Sequence, residues 1–368
     1  MSFLNRFFAS RWAVVLAGTV TGVTAALLVH LGNPGNMGFC SACFLRDVTG
    51  ALGLHRAGVV QYIRPEIIGV VLGATLAAIL FGEFKPRTGS APIVRFVLGV
   101  FGMIGALVFL GCTWRIYLRL AGGDWNAVPG ILGLIGGVYL GVQFFQFGFE
   151  PGRSRSARAA VGWIVPVLAV GALALLVLEP QLGRTPSKEL TGPIFFSEKG
   201  PGSQHAPIPW ALLGGLLIGF LAQRSRFCTI AGIRDFLLMR DTHFTVGIFA
   251  LVLAAFAANL ALGQFKPGFT DQPVAHNDTL WNFTSMILVG LAFTLAGGCP
   301  GRQLVLAGEG DGDAAVMVLG MIVGAAFAHN FSLASSPAGP GPYGPIAVIV
   351  SFVVIALIGL GLRERPTT

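Results

Sequence analysis

The sequence predicts an all-α polytopic membrane protein, and three observations carry that prediction. Of 368 residues, 54% are hydrophobic and only 11% charged, against roughly 25% charged in a soluble domain. The apolar residues gather into ten stretches, most of them close to the ~20 residues that a helix needs to cross a hydrocarbon core. Between them lie short polar segments that recur in a fixed order. Because lipid offers no partner to a backbone N–H or C=O, such stretches must close their hydrogen bonds internally, as helices do.

In chain order the expected spans are Trp12 to Leu31, Glu66 to Phe81, Ile93 to Leu110, Ala127 to Phe145, Val161 to Leu178, Ile208 to Leu221, Phe244 to Leu262, Leu280 to Ala296, Ala314 to Leu333 and Ile346 to Leu362. Arg6 and Arg11 precede the first, and no small-residue cleavage site follows it, so it is expected to be retained and not to act as a signal peptide. Nothing is left over for a soluble domain. With the N-terminus inside, most of the 24 lysines and arginines fall on inner loops, from Arg6 and Arg11 through Lys85, Arg87 and Arg95 to Arg363 and Arg365. Both termini are therefore expected in the cytoplasm, although the loop with Glu309, Asp311 and Asp313 votes the other way. This bias accounts for most of the net charge of +8 and leaves little for a nucleic-acid partner.

The chain also contains a copy of itself. Phe39-Cys40 followed by Arg46-Asp47 returns as Phe227-Cys228 followed by Arg234-Asp235. Gly82-Glu83-Phe84-Lys85-Pro86 returns as Gly263-Gln264-Phe265-Lys266-Pro267, and Cys112-Thr113-Trp114-Arg115 as Cys299-Pro300-Gly301-Arg302, with Asp124 matching Asp311. Each half runs span, short cysteine segment, span, span, short cysteine segment, span. The short segments, Cys40 to Leu54, Cys112 to Ala121, Cys228 to Met239 and Cys299 to Ala307, are too short and too charged to cross, so re-entrant or interfacial helices are expected. Five crossings separate the starts of the halves, and an odd number inverts the second copy. The expected organisation is a first transmembrane repeat over 1–147, an extra span and outer loop over 148–205, an inverted repeat over 206–335, and a C-terminal span and tail over 336–368. Inverted repeats with broken helices place a site at mid-membrane, here at an hourglass-like centre.

The cysteine segments supply candidate chemistry. Gly297-Gly298 ends a span, Pro300 suits the first turn of a new helix, and Arg302 follows in that turn, so Cys299 should sit at a helix N-terminus where anions are favoured. Cys40 and Cys112 fit the same description less cleanly. A thiol is soft, polarisable and a weak donor, and a series of weak sites is what conduction requires. Cys40, Cys112, Cys228 and Cys299 are accordingly candidates for a substrate path, with Arg115, Arg302, Arg46, Arg234 and Gln303 as anion-holding support. A lone membrane cysteine is ordinarily a packing residue, and Cys43, outside the repeat pattern, is expected to be one. Arg46 with Asp47 and Arg234 with Asp235 serve equally well in structural pairing with other segments. Glu309 is expected in a solvated loop or in a salt bridge to the arginines, and His329 and Asn330 either line a path or form a buried polar contact. No metal site and no cofactor are expected, since no second C-x-x-C completes Cys40-x-x-Cys43, and no P-loop offers ATP drive.

These residues resemble the YeeE/YedE membrane proteins of sulfur and selenium metabolism, most closely the YedE selenium-transporter branch. The matching stretches include GNPGNMGFCSACFLRDVTGALGLHRA from Gly32, IGALVFLGCTWRIYLRLAGGD from Ile104, LAQRSRFCTIAGIRDF from Leu221 and GGCPGRQLVLAGEG from Gly297. The resemblance implies a non-enzymatic uptake permease of a bacterial inner membrane for a small anionic sulfur or selenium compound. Relatives take up thiosulfate through an hourglass-shaped protein, with relay thiols at positions corresponding to Cys40, Cys112 and Cys299, often beside a small soluble TusA-like carrier. Cys228 joins the path by symmetry alone, and the loop FSEKGPGSQHAP, longer than in the thiosulfate relatives, separates this chain from them. Two alternatives remain open from the residues: a membrane thiol-disulfide oxidoreductase using Cys40 and Cys43, and a scaffold for a soluble sulfur carrier.

Overall fold

The computed structural model describes residues 3–178 and 194–362. Arg363 and Arg365 of the topology bias, and residues 179–193 of the expected outer loop, lie outside the described residues. Helix α1 (Phe3–Phe8) leads into α2 (Arg11–His30), the short α3 (Ser41–Ala51), α4 (Pro65–Leu80), α5 (Pro92–Phe109), the short α6 (Arg115–Ala121) and α7 (Ala127–Gln146). Helix α8 (Ala159–Val177) separates this set from α9 (Ile208–Ser225), the short α10 (Thr229–Met239), α11 (Thr245–Ala261), α12 (Thr279–Leu295), the short α13 (Pro300–Gly308), α14 (Gly312–Asn330) and the closing α15 (Gly344–Gly361). Two strands of two residues each, β1 (Arg87–Thr88) and β2 (Arg155–Ser156), pair antiparallel.

Among the described residues eight helical segments are long and apolar enough to cross a membrane, with α4 and α11 as shorter apolar helices. The chain is a multi-pass membrane protein, and every span read from the sequence is found as one helix. The four cysteine segments form the four short helices, two of them following α9 and α12 so closely that each pair reads as one apolar run. Side chains such as Leu132, Leu168, Leu253 and Leu357 face outward. In hydrocarbon this costs nothing, because lipid tails are as apolar as leucine, and close backbone approach holds the helices together instead. At the crossing of α2 and α11, Gly18 has the carbonyl of Gly247 where a side chain would project. Only glycine fits there.

The largest helix contacts fall into pairs that the sequence correspondence relates. The most extensive helix contacts are α2 with α11, α4 with α9, α5 with α14 and α7 with α12. Under the sequence correspondence α2 maps to α9 and α11 to α4, so the first pair becomes the second; by the same operation the third becomes the fourth. The loops obey it as well. Lys85 N donates to Glu309 O at 3.0 Å and Arg87 N to Gly310 O at 3.4 Å, while their counterparts Lys266 N and Gly268 N donate to Gly122 O at 2.9 Å and Gly123 O at 3.0 Å. Helices α8 and α15 have no counterpart and are the least buried spans, whereas the run formed by α12 and α13 is the most buried.

Candidate functional site

Where a membrane helix breaks, freed carbonyls need partners. The break after α12 is satisfied by Gln303, whose Nε2 donates to Ala296 O and Gly298 O, both at 3.2 Å, and by Arg95 Nη1 to Ala296 O at 3.2 Å. The break after α5 is satisfied by arginines: Arg119 Nη1 donates to Phe109 O at 2.9 Å, and Arg115 Nη1 to Leu110 O. These bonds let a new short helix begin inside the bundle, and each new helix presents its first turn with a cysteine beside it.

Cys40 and Cys299 are the N-cap residues of α3 and α13. Each has an extended backbone and accepts on Sγ from the third residue of its helix, from Cys43 N at 3.2 Å and Arg302 N at 3.3 Å. Cys228 caps α10 and accepts on Sγ from Cys299 N at 3.3 Å. Cys112 lies two residues before the N-cap of α6, so its helix start is displaced from that of its counterpart. All five cysteines are free and buried.

The repeat-matched cysteines converge. The thiols of Cys40, Cys43 and Cys112 lie near enough to interact, forming one cluster. Cys228 and Cys299 form a second. The two clusters meet through their chain neighbours. Thr229 Oγ1, beside Cys228, donates to Thr113 Oγ1, beside Cys112, at 2.9 Å. The Trp114 ring lies between Phe39 and Phe227, with centroid distances of 5.3 and 5.8 Å, and it covers the face of Gly301 from which a side chain would project. Trp114 and Gly301 are repeat counterparts in contact, so only one of them has room to be large. Cys43, expected outside the path, belongs to the first cluster, with Arg115 Nη1 3.7 Å from its sulfur.

The supporting charges divide. Arg115 is fully buried and donates to carbonyls of Asn36, Leu110, Pro273 and Val274; among the described residues no carboxylate pairs with it. Its counterpart Arg302 is 3.0 Å from Glu309, which also receives Arg226 at 2.8 Å, Gln223 at 2.9 Å and, more loosely, Arg87 at 4.0 Å. Glu309 is therefore a buried salt-bridge centre, and the solvated-loop alternative falls away. Glu83 joins from the α4 end, bound to Arg224 at 2.8 Å and Arg226 at 2.9 Å. Partial burial pushes the Glu83 carboxyl up, but bonds from Gln223 and Arg224 and the charge of Arg226 outweigh it and hold it below the usual carboxylate range.

Arg46 is bound to Asp47 at 2.6 Å and Arg234 to Asp235 at 2.8 Å. Each pairs within its own dipeptide, and Asp47 also pairs with Arg64, from the segment before α4, at 2.8 Å. His329 stacks on His55 at 4.6 Å, and Asn330 donates to Leu54 O at 2.9 Å. These contacts dock the end of α14 on the loop after α3 and do not reach the thiols. Among the described residues no three His, Cys, Asp or Glu side chains group as a metal ion would need. Thr113, Trp114, Thr229, Phe39 and Phe227 were not singled out from the sequence, although each adjoins a cysteine or completes its motif.

No curated protein matches the chain. Residues 224–358, from the end of α9 into α15, match the family model Sulf_transp, described as Sulphur transport.

Proposed function

We propose that the protein is a permease that takes up a small sulfur- or selenium-containing anion across a bacterial inner membrane, passing it between two clusters of thiols. The match to the Sulphur transport family supports a sulfur-compound transporter and a non-enzyme. The observation that carries the finer reading is the meeting of Cys40, Cys43 and Cys112 with Cys228 and Cys299 across the Thr113–Thr229 bond. A thiol offers a polarisable surface and a weak S–H donor, so it contacts an exposed sulfur or selenium without holding it tightly. Weak sites in series permit both entry and exit.

In this proposal residues 1–147 and 206–335 are inverted repeats, both termini are cytoplasmic, the Cys40 cluster opens outward and the Cys228 cluster inward. Arg115, without a carboxylate, draws the anion in; Arg302, neutralised by Glu309, lets it go. A small TusA-like carrier then takes the product on the inner side. Full burial of Cys40 and Cys43 disfavours thiol exchange with a protein partner, which requires access.

Reconstitution into liposomes with labelled thiosulfate, selenite or sulfate tests this directly. The wild type should accumulate thiosulfate or selenite, and Cys112→Ala and Cys299→Ala should each abolish uptake at undiminished protein levels. Normal uptake by both variants would remove the thiol relay. Loss of activity on Cys43 substitution together with a redox-dependent mobility shift would favour the oxidoreductase.

A further inference from the structure

Two buried polar groups at the junction of the clusters have no partner among the described residues. Ser41 Oγ and Trp114 Nε1 make no hydrogen bond, and both residues are fully buried. Both lie on the same spot. The position where a side chain on Gly301 would project is 3.0 Å from Ser41 Oγ and 2.9 Å from the Trp114 ring carbon bonded to Nε1. Ser41 follows Cys40, Trp114 follows Thr113 at Cys112, and Gly301 stands two residues after Cys299. Two idle groups able to donate hydrogen bonds thus sit at a contact between the segments that carry the two thiol clusters.

An unpaired buried donor is destabilising and ordinarily finds a partner in a native structure. The Trp114 ring is held between Phe39 and Phe227, at interplanar angles of 40° and 37°, so its N–H direction is fixed before any ligand arrives. Such a donor loses no reorganisation energy when an anion binds. Ser41, in the first turn of α3, has its hydroxyl free because Cys40 already caps that helix.

We infer that Ser41 and Trp114 are the specificity pair of the path, donating to the oxygen atoms of a chalcogen oxyanion while its sulfur or selenium faces the thiols. This rests on the proposed permease function and adds the residues that distinguish an oxygen-bearing anion from one without oxygen. Thiols alone would accept both.

The test uses the purified full-length protein in detergent, titrated calorimetrically with sodium thiosulfate and with sodium hydrosulfide, for the wild type, Trp114→Phe and Ser41→Ala. Phenylalanine keeps the ring stack and alanine keeps the helix start, so both variants retain the local packing. Loss of one hydrogen bond to a charged group should weaken thiosulfate binding roughly tenfold to a hundredfold in each variant, while hydrosulfide binding stays at the wild-type level. Unchanged thiosulfate affinity in both variants would overturn the specificity pair and leave the permease standing. Equal losses for both anions would also overturn it, since a general packing defect produces that pattern. If the wild type binds neither anion, the pair and the thiol relay fall together.

Discussion

Asp47→Asn and Asp235→Asn alter the same dipeptide in the two halves, yet their costs should differ about a hundredfold in the unfolding equilibrium. Asp47 is wholly buried with Arg46 and Arg64, and accepts from Arg46 Nε at 2.9 Å, Arg46 Nη2 at 2.6 Å and Arg64 Nε at 2.8 Å. Arg64 goes on to bond Gln204 O and Pro201 O, which ties the loop before α9 to α4. Asparagine at 47 removes the charge and turns one amide N–H₂ toward a guanidinium. Breaking a buried pair in this way costs about 3–5 kcal/mol, because the remaining charge stays buried. Among the described residues Asp235 has a single ion pair, to an Arg234 side chain that is 27% exposed, and a pair of that kind contributes about 0–1 kcal/mol. The gap is roughly 3 kcal/mol, or two decades in equilibrium constant. Reversible unfolding of both variants in mixed micelles, followed by circular dichroism against denaturing detergent, measures it. Coincident midpoints would refute the assignment of Asp47 as the balancing charge of a buried cluster.

Glu309→Gln leaves Arg302 buried without its carboxylate and should cost about 3–5 kcal/mol by the same reasoning; in liposomes it should also lower the maximal rate of uptake, and an unchanged rate would sink the release role given to Glu309. Gly18→Leu should prevent α2 from seating on α11, where the Gly247 carbonyl occupies the space; overpacking costs at least about 1–3 kcal/mol, and normal monodisperse yield on size exclusion would contradict it. Glu83, whose carboxyl is held below its ordinary value of 4.5, contributes stability that is complete above that value and lost as pH falls through its lower folded value. Glu83→Gln should therefore flatten the acid limb of the unfolding profile below pH 4.5, and superimposable limbs for variant and wild type would exclude the contribution.

The spans were legible because hydrocarbon imposes a continuous apolar requirement that a sequence cannot hide. The convergence of Cys40, Cys112, Cys228 and Cys299 was legible for another reason: a repeat carries its own alignment, and Pro300 with Gly297-Gly298 marks a helix start. What stayed hidden depends on which loop folds onto which. For Glu309 the sequence offered a solvated loop or a salt bridge to the arginines, and nothing local chooses between them. In the fold, the Lys85 loop and the end of α9 close over it. The difference between Asp47 and Asp235 was invisible for the same reason, since identical dipeptides acquire different surroundings only in three dimensions. Trp114 was readable in principle, as a large residue whose repeat counterpart is glycine.

Duplication by itself gives two equal halves, and two equal halves give a path with no preferred direction of hold and release. The differences between counterparts are therefore where function has to lie. Arg115 and Arg302 occupy matching positions, but Arg115 ends on neutral carbonyls, whereas Arg302 ends on Glu309. The counterpart of Glu309 is Gly122, which has no side chain to offer, and its carbonyl is already taken by Lys266 N. Among the described residues one cluster thus has a positive charge with no carboxylate beside it in a low-dielectric setting, where each unit charge acts far more strongly than in water, and the other has its charge cancelled. The contact of Trp114 with Gly301 repeats the lesson in volume: only one of the two matching positions has room for a large side chain, so the place where the clusters meet is asymmetric by necessity.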